Sequence, residues 1–161
     1  MIKQNRTSDS LVTIAVSGIN AIDNPGPGTG ILRALKESSL NVRTIGFAYD
    51  SMEPGIYMDG LADKAYILPY PSTGREPFVD RIRYIHSMEN LDVIISALDT
   101  ELPLFMDIEG ELKKLGIRMM IPGREMLKAR NKSVLKKLAE AIGVKCPPYF
   151  SCNSPDDLIS A

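Results

Sequence analysis

Short apolar runs separated by amphipathic stretches constrain this chain more than any other feature. The runs are Leu11 to Ser17 (LVTIAVS), Val42 to Ala48 (VRTIGFA), Ala65 to Leu68 (AYIL), Asp92 to Leu98 (DVIISAL) and Ile117 to Ile121 (IRMMI). Between them, Ile31 to Ser38 and Pro103 to Leu115 read as helical, and Phe78, Ile82, Ile85 and Met88 recur at helical spacing. Strands that are apolar on both faces and joined by helices belong in a parallel sheet covered on both sides. Right-handed crossovers then leave an α/β fold with a doubly wound, mainly parallel open sheet. A hydrophobic fraction of 44% supplies a core without a disulfide or metal staple.

The rhythm changes after Pro122-Gly123. Glu125 to Arg130 reads as a helix, and Asn131 can cap a second one over Lys132 to Ile142 with Gly143 as its stop. Val144 to Pro148 is an extended exit. At the end, Ser154 suits an N-cap, Pro155 the first helical position and Asp157 the acid of a capping box. A helix announced there runs for about two turns. The expectation is therefore a disordered tail over 1–10, a sheet domain over 11–123, and a helical appendage over 124–161 that opens a further domain of a longer protein.

Several classes of function are excluded. The net charge is −1, which argues against a nucleic-acid surface. No apolar run is long enough for a bilayer, and the first ten residues are too polar for a secretory signal. Cys146 and Cys152 lack zinc spacing, His86 is the lone histidine, and no metal site is read. A cytoplasmic protein with reduced thiols is expected.

In a parallel sheet, ligands bind at the carboxyl ends of the strands. The loop Gly18 to Gly30 lies there, and its glycines with a following helix start suit either a small-ligand loop or an irregular turn that needs glycine. It is not a dinucleotide fingerprint. Counting from Gly26 or Gly28, the third glycine position holds Ile31 or Arg33, although Asp50 follows the second strand as a ribose acid would. It is not a P-loop either. Asp99 and Glu101 follow the fourth strand near the expected reversal of strand order. They can face a substrate, or Asp99 or Thr100 can cap the next helix. His86 and Arg75 read as solvated, and Met119-Met120 as core.

Two stretches carry a resemblance. Asp99-Thr100-Glu101-Leu102-Pro103-Leu104 is followed by a helix, Gly116-Ile117 and a strand. Asn131-Lys132-Ser133-Val134-Leu135-Lys136-Lys137-Leu138 is followed by Ile142-Gly143-Val144-Lys145-Cys146-Pro147. Together they resemble the start of an ATP-grasp enzyme of the carbamoyl-phosphate-synthase-like and biotin-carboxylase-like kind. The resemblance implies a Rossmann-like pre-ATP-grasp domain and then the first helices of the nucleotide-binding fold. It assigns Lys132 to a nucleotide phosphate, a role suited to a point charge; the preceding acid is replaced by Asn131. It places part of the substrate site on the N-terminal domain, at Asn20, Asp23, Gly28 and Asp99.

The implied parent is an ATP-dependent ligase that uses ATP and Mg²⁺ and acts through an acyl phosphate on a small-molecule carboxylate and an amine or another nucleophile. The family's second phosphate lysine, glycine-rich flap and Mg²⁺ ligands have no counterpart in the sequence. Phosphoryl transfer needs that positioning and neutralisation, so the fragment is expected to be inactive and to bind no cofactor. A homodimer through an uncovered apolar face is a further expectation. The alternatives are a stand-alone flavodoxin-like binding module without catalysis and a nicotinamide-dinucleotide-binding domain.

Overall fold

The computed structural model of the protein describes residues 10–20, 25–129, 132–148 and 150–160. The tail expected over 1–10 lies outside them but for Ser10, as do Asp23 and Asn131. The chain divides into two compact units, 1–121 and 122–161.

The first unit runs β1 (Val12–Val16), α1 (Pro27–Glu37), β2 (Val42–Ala48), β3 (Lys64–Ile67), α2 (Arg75–Glu89), β4 (Val93–Ile95), α3 (Leu102–Lys114) and β5 (Arg118–Met119). Every strand pair is parallel, in the order β3-β2-β1-β4-β5, with Val12 opposite Val42 and Ile14 opposite Val93. Period-2 alternation divides the strand side chains between two cores. On one face Ala15, Ile45, Phe47 and Ile94 meet Phe78, Ile82 and Ile85 of α2 and Phe105, Ile108 and Leu112 of α3. On the other, Ile14 and Val16 meet Leu32 of α1 and Leu61. The sheet is thus doubly wound, as expected, and wholly parallel. Phe78 and Phe105 join α2 to α3 edge-to-face at 5.3 Å; each buried ring contributes about 1.5–3 kcal/mol of burial.

The boundaries differ from the sequence reading in ways that have causes. The first helix, of which Ile31 to Ser38 reads as a part, begins at Pro27, which sits at the N-terminal position where its fixed φ and missing N–H do no harm. Gly28 and Gly30 therefore lie in the helix, and the loop ends at Gly26. Helix α3 stops where Gly116 takes φ +87°; the Gly116 N–H donates to Lys113 O at 3.1 Å and the Ile117 N–H to Leu112 O at 3.0 Å. The edge strand β5 is only two residues long. Met119 packs against the core, but Met120 is 90% exposed, contrary to the expectation for the pair.

The second unit holds α4 (Arg124–Ala129), a 3₁₀ turn (Lys132–Val134), α5 (Leu135–Ala141) and α6 (Pro155–Ser160). The single helix expected over 132–142 is broken at Val134, whose ψ of 1° is off-helical. The stop is as read: Gly143 has φ +69°, its N–H donates to Glu140 O at 3.3 Å, and the Val144 N–H donates to Ala139 O at 2.9 Å. The capping box also forms, with the Ser154 N–H donating to Asp157 Oδ2 at 3.0 Å and the Asp157 N–H to Ser154 Oγ at 3.2 Å. None of α4, α5 or α6 has a buried residue. Among the described residues, no helix is long and apolar enough to cross a membrane.

Candidate functional site

The strand order reverses between β1, which leads out to β2 and β3, and β4, which starts the return toward β5. Open sheets of this kind bind ligands at that crevice. Its floor is a single carboxylate. Glu101, fully buried at the start of α3, accepts from the hydroxyls of Ser17, which follows β1, and of Ser96, which follows β4 at 3.0 Å, and from the Leu98 N–H at 3.0 Å. Its other oxygen accepts from the phenol of Tyr49, which follows β2. Ser17 Oγ in turn accepts the Ala97 N–H at 2.9 Å, so its proton is committed to Glu101. Four donors from the ends of three strands converge on this carboxylate, and among the described residues no Lys or Arg pairs with it. Burial, then the charge and hydrogen bond of Glu101, then the charge of Glu53, hold the Tyr49 phenol far above the ordinary tyrosine range.

Close approach of backbones makes the rest of the floor. A Cβ on Gly28 would lie 2.0 Å from Ser17 O, one on Gly26 2.3 Å from Gly18 O, and one on Gly55 1.9 Å from Ile19 O. Three glycines are thus required by the turn that leaves β1. The first turn of α1 has little left for an anion. Pro27 has no N–H, the Gly28 N–H donates to Gly18 O at 3.1 Å, and the Thr29 N–H donates to Gly26 O at 3.3 Å. The phosphate cradle that a glycine loop and helix start would otherwise offer is occupied by the protein's own carbonyls. This removes the physical basis for pyrophosphate on that turn.

Of the residues singled out in sequence, Asn20 is half-buried, and its carbonyl accepts the Gly26 N–H. Gly28 is buried against Ser17, and Asp99 is exposed at the lip of the turn after β4. The N-cap of α3 is Glu101, which makes no side-chain cap bond because its carboxylate is turned to the strand ends. Lys132 opens the 3₁₀ turn of the second unit. Arg75 is exposed, as read, and pairs with Glu111, which also takes Arg83 at 3.1 Å. His86 is half-buried, with Nδ1 buried and unpartnered. Glu101 was legible: it precedes Phe105, Ile108 and Leu112 at helical spacing and so sits on the buried stripe. Tyr49 and Ser17 carry no such signal.

No family model matches the sequence, and no curated protein matches it. Solved structures do. The N5-carboxyaminoimidazole synthetase of Staphylococcus aureus is 14% identical and superposes with a TM-score of 0.53 over 92% of this chain and 35% of its own. The biotin carboxylase domain of a single-chain bacterial carboxylase gives 15%, 0.52, 92% and 33%. The biotin carboxylase domain of Hydrogenobacter thermophilus 2-oxoglutarate carboxylase, solved with MgADP, ADP and bicarbonate, gives 18%, 0.51, 84% and 28%. This chain spans about a third of the length of these structures. At these identities the likeness is one of fold.

Proposed function

We propose that this chain is the N-terminal α/β domain, followed by the first helices of the nucleotide-binding fold, of an ATP-grasp ligase. The ligase activates a small carboxylate as an acyl phosphate for attack by an amine. The reading rests above all on the likeness of fold, centred on this chain's parallel sheet, to a synthetase and to carboxylases of which one was solved with MgADP and bicarbonate. The sequence resemblance at 99–104 and 131–147 supports it independently.

In this reading residues 124–161 begin the ATP-grasp domain and Lys132 meets a nucleotide phosphate. ATP and Mg²⁺ belong to the intact protein and supply the phosphoryl group and its charge neutralisation. The described residues do not fit that load alone. Among them no three His, Cys, Asp or Glu side chains cluster as metal ligands, and residues 17–26, 49–53, 68–74 and 96–101 hold no Lys or Arg. The carboxyl edge fits the acceptor side instead. In this reading Asn20 and Asp99 border the substrate there, Gly28 shapes the turn beneath it, and Glu101 holds the strand ends in place.

The test is ADP release by the complete gene product against panels of small carboxylates and amines. Carboxylate-dependent release that falls tenfold or more in Lys132→Ala is expected, with none from the 161-residue chain alone. Turnover by the short chain, or indifference of the complete product to Lys132→Ala, overturns the reading.

A further inference from the structure

Two tyrosines stand together at the same edge. Tyr49 follows β2 and Tyr70 follows β3; their rings stack with centroids 5.7 Å apart and planes 20° apart. The lower ring is pinned. Its phenol donates to buried Glu101, and its backbone N–H donates to Glu53 Oε1 at 2.8 Å. The upper ring is held by its backbone, since Tyr70 O accepts both the N–H (2.9 Å) and the hydroxyl (2.7 Å) of Thr73, between Pro69 and Pro71. Yet Tyr70 is 50% exposed. With one face on Tyr49, the exposed part is the ring edge and the opposite face. A fixed aromatic face left open to solvent is a platform.

Charge decides what the platform takes. The ring face is the negative end of the aromatic quadrupole. Two carboxylates adjoin Tyr49, Glu101 at its phenol and Glu53 at its backbone N–H. Glu53 Oε2 is buried with no hydrogen-bond partner. The segments bearing the stack, 49–53 and 68–74, contain no Lys or Arg. Two other tyrosines already carry a cation: Arg81 lies over Tyr66 at 6.0 Å and over exposed Tyr84 at 5.3 Å. An anion would meet repulsion on Tyr70, and a neutral group would gain only contact.

We propose that the outer face of the Tyr49–Tyr70 stack is a subsite for an organic ammonium group, a non-reacting cationic end of the acceptor substrate. The proposal rests on the reading of this edge as the acceptor side of a ligase, but its test needs no nucleotide. The 161-residue chain is titrated with tetramethylammonium, with its neutral isostere tert-butanol and with acetate, following the amide shifts of Tyr49 and Thr73. Saturable shifts with tetramethylammonium, and at least tenfold weaker response to the other two, are expected. Tyr70→Leu abolishes the response, Tyr70→Phe retains it, and Glu53→Gln weakens it severalfold. Equal response to tert-butanol, or unchanged binding by Tyr70→Leu, overturns the subsite. Because the tert-butanol comparison uses the wild-type chain, it decides even if a variant misfolds. Failure here leaves the ligase reading standing, since that reading is decided by ADP release.

Discussion

Two buried glutamates stand at opposite ends of one sheet and are treated in opposite ways. Glu89, 5% exposed at the end of α2, receives Arg43 at the start of β2, and Lys64 (2.8 Å) and the Tyr66 hydroxyl on β3. Glu101, at the carboxyl end, receives only hydroxyls and one amide. The first carboxylate is neutralised by cations that the strands themselves supply. The second has only neutral hydrogen-bond donors beside it, at the place where ligands bind in such folds. Burial of an ion with cations repays desolvation in structure alone. Burial without them needs hydrogen bonds in their place, and at Glu101 four donors supply them. The amino end is electrostatically closed, and the carboxyl end is held by sterics and by directed hydrogen bonds.

The largest effect that would break this contrast is steric. Gly28→Ala puts a methyl 2.0 Å from Ser17 O, backbone against backbone, and is expected to cost about 3 kcal/mol or more. The same change at Gly30, where nothing lies within 4 Å, should be neutral or stabilising in a helix. Urea denaturation of both variants measures the difference.

A smaller effect separates the glutamates. Glu89→Ala leaves Arg43 and Lys64 facing each other, and is expected to lose about 2–4 kcal/mol in thermal denaturation. Glu101→Gln keeps the volume but offers one acceptor oxygen for four donors, an expected loss of about 1–3 kcal/mol. High salt should lessen the first loss and leave the second unchanged, because only the first involves partly exposed cations. Equal salt dependence would dissolve the contrast.

The smallest effect is with pH. Burial works to raise the Glu89 carboxyl, but hydrogen bonds from Lys64 and Tyr66 and the charges of Arg43 and Lys64 outweigh it, and its pKa lies below the ordinary value of 4.5. A depressed folded-state pKa means that its contribution is fully present above the unfolded value. It is lost as pH falls through the folded one. The stability gap between wild type and Glu89→Ala should therefore narrow in acid, below about pH 4, and stay constant from pH 6 to 8.

Much of the fold was legible because its signals are local. Val42–Ala48 is a strand from end to end as read, and Gly116, Gly143 and Ser154 stop or start helices where their chemistry says they should. The site was less legible because it is assembled from afar. Nothing within a short window says that Ser17, Tyr49 and Ser96 aim at one carboxylate, since they lie on three strands brought together by topology. Sequence therefore favoured Asp99, which is exposed, over Glu101, two residues on, which is not. Met120 failed for a simpler reason: β5 is an edge strand too short to turn a second methionine inward.

The second unit carries its instructions differently. Its helices bury nothing, yet α5 ends on a glycine turn and α6 begins on a reciprocal serine–aspartate clasp. Shape there is dictated by neighbours a few positions away rather than by a core. Those segments would keep their beginnings and endings in any larger assembly, and their greasy side chains, Leu138, Ile142 and Phe150 among them, stand ready to be buried by whatever the assembly brings.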